Sequence, residues 1–258
     1  FGVAGTYSGV AMPFLLQKAG VPVGMIATIA GLSLLPAAYQ LFWAPIVDVG
    51  MRRRSWLILC SFVGSFCLAS TLILKLPEAL LPYEILMVIG QLLVGLVASC
   101  NGALVSTRVD PAKRGQAAGF VNAANLGSAV LGGGVILSLA NNVSKEAAAI
   151  GLVLMICLPA LAALAIPEPA PEKEPILDHV IAMAKEVWRA VRSRTGWTGL
   201  CFCLSPVGTV ALLNLLSALG KDYGANSSVV EMVNGYGGGF VTALFALASG
   251  FILDRSDK

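Results

Sequence analysis

The sequence predicts an all-α integral membrane protein, and two observations support this prediction. Hydrophobic residues make up 57% of the 258 residues and charged residues only 12%, about half the charged share of a soluble globular domain. The apolar residues also form runs of roughly twenty, the length that an α-helix needs to cross a bilayer. This composition excludes a soluble enzyme, a disordered chain and a nucleic-acid-binding protein, so membrane lipid is an expected partner and nucleic acid is not.

Eight candidate spans lie between the charged clusters and the proline or glycine breaks. They cover roughly residues 1–17, 25–47, 55–76, 83–107, 115–140, 147–166, 197–219 and 229–253. Each run is far longer than the roughly ten-residue strand of a membrane barrel, and none alternates polar with apolar residues. Because the first run opens at Phe1 inside an apolar stretch and the chain stops at Lys258 just after a charged turn, we expect a truncated piece of a longer protein.

Basic residues are unequally shared between the two predicted sides of the membrane. Of the 17 Lys and Arg residues, only Lys18, Lys75, Lys145 and Lys221 lie in turns after odd-numbered spans. The others follow even-numbered spans. Because cytoplasmic turns are enriched in Lys and Arg, span 1 is predicted to start in the cytoplasm.

One long connection divides the chain. Residues 167–196 begin with an acidic, proline-rich stretch and continue as a basic segment with an apolar residue on every helical turn, which predicts an amphipathic helix on the cytoplasmic lipid surface. His179, the single histidine, is interpreted as a solvated residue of its first turn. We therefore expect a six-span bundle over 1–166, this linker, and the first two spans of a second bundle over 197–258.

A short charged motif occurs at the ends of spans 2 and 8. Asp48 ends span 2 and is followed by Arg52 and Arg53, while Asp254 ends span 8 and is followed by Arg255. Each acid comes four residues after a small residue. A repeated turn at this distance predicts two six-span halves that face each other.

These two turns resemble a signature of the major facilitator superfamily. The family's turn between spans 2 and 3 reads G-x-x-x-D-R-x-G-R-R. The first copy here, APIVDVGMRRR, keeps Asp48, Gly50 and the arginines but has Ala44 and Val49 where the family has glycine and arginine; the second copy reads GFILDRSDK. The resemblance covers nearly the whole chain. It implies a major-facilitator-type helical bundle and a secondary transporter of a small organic solute, with no cofactor, and we expect it in a bacterial inner membrane.

A narrower resemblance is to the branch that holds muropeptide permeases and acetyl-CoA transporters. The run FWAPIVD at 42–48 is similar to that branch's W-[SA]-P-[LI]-x-D signature, and RRSWL at 53–57 is similar to its R-[RK]-x-W-L. That branch often carries an acidic Q-D-I-x-x-D-like stretch in span 4. The corresponding run here, SCNGAL at 99–104, has no acid, so the branch's substrate and coupling chemistry are not carried over.

The repeated acids predict a conformational latch at the cytoplasmic ends of the spans. An acid at a helix C-terminus is disfavoured by the helix dipole, so Asp48 needs a compensating role, such as capping a neighbouring helix and pairing with arginines. The resemblance places the end of span 4 close by. The predicted latch residues are Asp48, Arg52, Arg53, Arg108, Asp254 and Arg255. The alternative is that these charges are solvated markers of the cytoplasmic side.

Polar side chains at membrane depth predict a substrate cavity. Such groups cost free energy unless they are paired or hydrated. In the family fold, spans 1, 4 and 7 line the pore and spans 2, 5 and 8 lie at its sides. The predicted cavity residues are Tyr7, Tyr39, Gln40, Gln91, Asn101, Asn122, Asn125, Asn214, Asn234 and Tyr236. Hydrogen bonding between helices is the alternative.

Glu231 is the one carboxylate predicted to lie inside a span beyond its first residue. A buried carboxyl group can take up and release protons, as a proton symporter requires, but a surface position at the outer end of span 8 is an alternative, and so is a facilitative uniporter. A membrane-embedded acyl or phosphoryl transferase is the competing class. It would need a nucleophile–base pair or a metal cluster in the spans, and none occurs in the sequence, so no enzyme activity, catalytic residue or metal site is expected.

Overall fold

A computed structural model of the chain describes residues 1–43, 46–47, 50–110, 113–167, 181, 185, 188–189, 192–194, 196–198, 224 and 226–256. For residues 41–42, 227, 230–231, 234–235 and 250–256 it describes the backbone alone. The regular elements of this part of the chain are all helices. The predicted all-α fold is therefore confirmed.

Four helices are long and apolar enough to cross a membrane, and they correspond to spans 3 to 6. Their bounds are Arg53–Ile73, Leu80–Arg108, Arg114–Asn142 and Lys145–Ala165. The ends differ by a few residues from the predicted spans. Ser144 begins the last of them as an N-cap, since its hydroxyl accepts a hydrogen bond from the backbone N–H of Ala147 at 3.0 Å.

Spans 1 and 8 are helices that each contain a π-helical turn. Span 1 is helical over 2–18, with the π turn at Tyr7–Ala11. Span 8 is helical over 227–256, with the π turn at Glu231–Gly237. Of the predicted span 7, only residues 197 and 198 are among those described.

Span 2 differs from the single helix predicted over 25–47. The helix Val23–Ala38 ends at Tyr39, and a short helix, Gln40–Trp43, follows. Pro36 lies inside the first helix and lacks the N–H that would continue its hydrogen bonding. The indole Nε1 of Trp43 donates to the carbonyl of Pro36 at 3.0 Å, so a side chain satisfies a carbonyl near the interruption.

The buried core joins spans 1 to 6. Fully buried side chains from these spans meet in it, including Tyr7, Met12, Leu68, Met87, Ile136 and Leu152. Spans 3 and 4 approach each other closely at Gly90, where an added Cβ would lie 2.7 Å from the side chain of Leu68. Small residues at helix crossings are the usual means of close packing in membranes.

Large apolar side chains cover the outside of the bundle. Phe66, Ile150, Leu158 and Phe245 are more than half exposed, an arrangement that lipid tails tolerate and water does not. The prediction of an integral membrane protein is thereby confirmed.

Part of the linker helix is also described. Residues 181, 185, 188–189, 192 and 194 are helical. The guanidinium carbon of Arg192 lies 4.9 Å from the centroid of the Trp188 ring, a cation–π contact between residues one helical turn apart. The remaining residues of the predicted amphipathic helix, including His179, lie outside the described residues.

Candidate functional site

The turn between spans 2 and 3, predicted to be cytoplasmic, places three consecutive arginines at the start of a helix. Arg52 is the N-cap residue of span 3, and its carbonyl accepts from the backbone N–H of Ser55 at 2.8 Å. Gly50 has a φ of +79°, a conformation that favours glycine and accounts for the glycine of the turn motif. The turn geometry therefore explains two of the motif residues.

Cations are disfavoured at a helix N-terminus, so the arginines need acceptors. Arg54 finds one at the end of span 6, where its Nη1 donates to the carbonyl of Ile166 at 3.2 Å. This contact between spans 3 and 6 was not predicted, and only the density of arginines in the turn hinted at it.

The other predicted latch residues are only partly described. Arg53 lies in the first turn of span 3 and Arg108 in the last turn of span 4. Asp48 lies outside the described residues. For Asp254 and Arg255 the helical backbone is described and the side chains are not, so the latch remains a prediction.

The structure brings three of the predicted asparagines together. Asn101 of span 4 and Asn125 of span 5 line a cavity of about 450 Å³. Asn101 also lines a second cavity of about 340 Å³, together with Asn122 and Arg114 of span 5. Since each amide both donates and accepts hydrogen bonds, this pair of cavities presents neutral polar groups beside one cation.

Span 1 closes the larger of these cavities through polar contacts with span 5. The hydroxyl of Thr6 donates to the carbonyl of Ser128 at 3.0 Å. Ser128 in turn donates to the carbonyl of Asn125. Gly2 fits against the same two residues, because a Cβ added there would collide with both.

Gln91 does not line either cavity among the described residues. Its amide nitrogen donates to the carbonyl of Ala4 at 3.3 Å and to the hydroxyl of Ser8, so it joins span 4 to span 1. These contacts fit the alternative interpretation, in which the polar side chain forms hydrogen bonds between helices.

Tyr7 and the two polar residues of span 2 do not line either of the asparagine cavities. Tyr7 is 1% exposed and hydrogen-bonds to Thr71. Tyr39 is 58% exposed at the interruption of span 2. Gln40 donates to the hydroxyl of Ser99 at 2.8 Å, and so ties the end of span 2 to span 4.

Trp43 and Gly95 explain part of the tryptophan signature. A Cβ added at Gly95 of span 4 would lie 2.6 Å from the indole ring of Trp43. The ring therefore occupies the space that glycine leaves, and the short helix after Tyr39 is held against span 4.

A three-glycine segment in span 5 forms a junction with spans 1 and 8. The π turn Val130–Val135 contains Gly132, Gly133 and Gly134, all buried. A Cβ at Gly132 would collide with the backbone of span 1, and one at Gly133 would lie 3.2 Å from Val10. One at Gly134 would lie 3.0 Å from the ring of Tyr236 in span 8.

The contact between spans 5 and 8 continues toward the end of the bundle that carries the arginine turn. A Cβ at Gly127 would lie 2.9 Å from the Cβ of Ala243, and one at Gly239 would lie 2.7 Å from the backbone nitrogen of Val130. The π turn of span 5 also contacts the π turn of span 1 at Val10 and that of span 8 at Tyr236. Such turns are frequent at functional sites.

For the remaining predicted residues of spans 7 and 8, the side chains lie outside the described part of the structure. Glu231 and Asn234 belong to the π turn of span 8, with the backbone described. Asn214 lies outside the described residues. Within the described part of the chain, no group of three His, Cys, Asp or Glu side chains is arranged to hold a metal ion.

Comparison with known proteins gives one match. A sequence model of the Major Facilitator Superfamily matches residues 1–258. No curated protein and no solved structure matches the chain. The match is to the superfamily as a whole, so the narrower branch stays a prediction.

Proposed function

We propose that this chain, which belongs to the Major Facilitator Superfamily, is a secondary carrier that moves a small organic solute by alternating access of the rocker-switch type. Members of the family are membrane transporters of small solutes, and generally not enzymes. The mechanism, the coupling and the solute are what the proposal adds.

The observation that carries the mechanism is the glycine contact between span 5 and span 8. These spans belong to the two predicted halves. The ring of Tyr236 fills the space at Gly134, but Gly127 and Gly239 let the two backbones approach closely. A rocking motion of one half against the other needs such a smooth contact, because interdigitated side chains would have to separate at each cycle.

The asparagine cavities support a polar solute. Asn101, Asn122 and Asn125 offer amide donors and acceptors, and Arg114 adds a positive charge at the cytoplasmic end of the smaller cavity. A solute with hydroxyl, amide or carboxylate groups would satisfy these side chains. The predicted residues Asn214, Asn234 and Tyr236 would complete the site from the second half.

We place the chain nearest the branch of muropeptide permeases and acetyl-CoA transporters. Support comes from the two tryptophan signatures and from the packing of the Trp43 ring against Gly95. The acid-free run at 99–104 argues that its coupling chemistry differs from that branch.

Coupling is proposed to use protons, with Glu231 as the group that carries them. The π turn that begins at Glu231 supports this role, because a π turn disturbs regular helical hydrogen bonding near the acid. A facilitative uniporter is the alternative, and a membrane-embedded acyl or phosphoryl transferase is the competing class.

The proposed setting is a bacterial inner membrane with span 1 starting in the cytoplasm. Met51 and Asn142 are exposed at opposite ends of the bundle. In a cysteine-free background, Asn142→Cys should react with an impermeant maleimide in intact cells and Met51→Cys only after permeabilisation. The reverse labelling pattern would show that span 1 starts outside the cytoplasm, contrary to the orientation predicted from the distribution of Lys and Arg.

Proteoliposomes test the function directly. The protein is reconstituted and offered a panel of amino acids, short peptides, amino sugars and nucleotides, with and without an imposed pH gradient. We expect one chemical class to be taken up unchanged, and to accumulate only with the gradient. Uptake without accumulation would indicate a uniporter, and a chemically altered solute in mass spectrometry would indicate a transferase.

A further inference from the structure

A third cavity lies at the opposite end of the bundle from the arginine turn. It has a volume of about 260 Å³ and is enclosed by the outer ends of spans 1, 3, 4, 5 and 6. Its polar walls are Tyr7, Lys18, Thr71, Tyr83, Asn141 and Lys145. At about 30 Å³ per water molecule, it has room for a small polar group rather than for a large organic solute.

The walls carry positive charge without an acid. Lys18 and Lys145 line the cavity, and no Asp or Glu is among its described lining residues. Glu146 adjoins Lys145 along the chain and interacts with its charge, but its stronger partners are its own backbone N–H and Ser144, and it does not line the cavity. Two ammonium groups around one enclosed space favour an anion.

Lys18 is held in position across the cavity mouth. Its Nζ donates to Oδ1 of Asn141 at 2.7 Å, which links the end of span 1 to the end of span 5. A lysine fixed in this way loses less conformational entropy when it binds a ligand than a freely moving one.

Three hydroxyl groups form the buried wall. Tyr7 and Thr71 are each 1% exposed and Tyr83 is 2% exposed. Thr71 donates to the carbonyl of Leu68 at 2.6 Å, so in the 2.6 Å contact between Tyr7 and Thr71 the tyrosine is the donor. The Tyr83 hydroxyl hydrogen-bonds with both and lines the cavity, so a bound anion would compete with Tyr7 for its proton.

We propose that this cavity binds a phosphate-type anion, with Lys18 and Lys145 supplying the charge and Tyr83 a hydroxyl donor. A phosphate group has several acceptor oxygens, which suits two separate lysines and a hydroxyl. The anion is either free phosphate or the headgroup of an acidic phospholipid, since the cavity lies at the level where the spans end. This site goes beyond the proposed transport path and involves none of its asparagines.

Thermal stability of the purified full chain in a neutral detergent tests the proposal. One arm adds inorganic phosphate against chloride at equal ionic strength, and the other adds phosphatidylglycerol against phosphatidylcholine. We expect at least one of the two phosphate compounds to raise the melting temperature. A response to phosphate alone identifies the free anion, and a response to phosphatidylglycerol alone identifies the headgroup.

The variants decide whether this cavity is the site. Lys18→Gln and Lys145→Gln should each weaken the response about tenfold in ligand concentration, as expected for the loss of one charged hydrogen bond. Lys75→Gln is the matched control, because Lys75 is an exposed lysine of the same end that does not line the cavity. Tyr83→Phe removes one hydroxyl and leaves both charges, so it should weaken the response less.

Two results would overturn the proposal. One is the absence of any stabilisation by either phosphate compound in the unsubstituted protein. The other is an equal loss in Lys75→Gln, which would show general attraction to a basic surface. The assay needs no knowledge of the transported solute, so its outcome is independent of whether the proposed transport function is correct.

Discussion

The ring of Tyr236 in span 8 rests on Gly134 in span 5, where an added Cβ would lie 3.0 Å from the ring. Tyr236 is 38% exposed, so this contact fixes one side of the ring and leaves another side open. It joins a polar residue of the second predicted half to the π turn of the first.

Gly134→Val should slow transport strongly, because the added side chain displaces Tyr236 and wedges spans 5 and 8 apart. Overpacking of this kind costs about 1–3 kcal/mol of stability, and we expect initial uptake to fall by roughly tenfold or more. Gly31→Ala in span 2 is the control, because nothing lies within 4 Å of a Cβ at that position. Full uptake by Gly134→Val at equal expression would contradict the role of the junction.

Asp48→Asn should lower transport while membrane insertion stays intact. In the proposed latch, Arg52 and Arg53 at the start of span 3 would lose a charged partner in this variant, and charged hydrogen bonds are about twice as strong as neutral ones. Uptake and surface labelling are measured on the same membranes. The control is Glu78→Gln, which changes an exposed carboxylate at the opposite end of the bundle and should alter neither measurement. A normal transport rate in Asp48→Asn would contradict the latch hypothesis.

Gln91→Ala should reduce stability more than it changes solute affinity. The variant loses the two hydrogen bonds from span 4 to span 1, and such bonds in membranes contribute about 0.6–2 kcal/mol. A lower melting temperature with an unchanged KM would assign Gln91 to helix packing. A raised KM with unchanged stability would instead indicate that Gln91 contacts the solute. Gln17→Ala is the control, because Gln17 is also a half-buried glutamine.

Glu231→Gln should abolish accumulation against a gradient and preserve downhill exchange. The amide cannot carry a proton, but it keeps the size of the side chain and so the shape of its surroundings. Counterflow and pH-driven uptake are compared in the same proteoliposomes, with Glu84→Gln as a control carboxylate at the start of span 4. Accumulation by Glu231→Gln in response to an imposed pH gradient would place the coupling group elsewhere.

The pattern of apolar residues predicted the helices well, because span length and flanking charge are imposed by the bilayer. Span 2 was predicted as one helix, because two polar residues, Tyr39 and Gln40, within a long apolar run do not by themselves indicate a break. The observed interruption follows Pro36, and Gln40 beyond it is bonded to span 4. Tertiary contacts also decided the site. Asn101 and Asn125 converge on one cavity, whereas Gln91, equally polar and on the same span as Asn101, contacts span 1.

The cavity at the outer end illustrates the same limit. Lys18 and Lys145 are 127 residues apart in the sequence (145 − 18 = 127) and each looks like an ordinary interfacial lysine. Nothing in the local pattern indicates that Thr71 and Tyr83 lie between them. Only the folding of five spans around one space brings these groups together.

The glycine triplet of span 5 also constrains how related sequences can diverge. At Gly133 and Gly134 the obstacles are the side chains of Val10 and Tyr236, so a larger residue could be accommodated if its partner became smaller, and the two positions should covary with those partners. At Gly132 the obstacle includes the main chain of span 1, which no substitution can remove. Among orthologues, we therefore expect substitutions of Gly133 and Gly134 to occur together with substitutions of Val10 and Tyr236, and we expect Gly132 to stay unchanged.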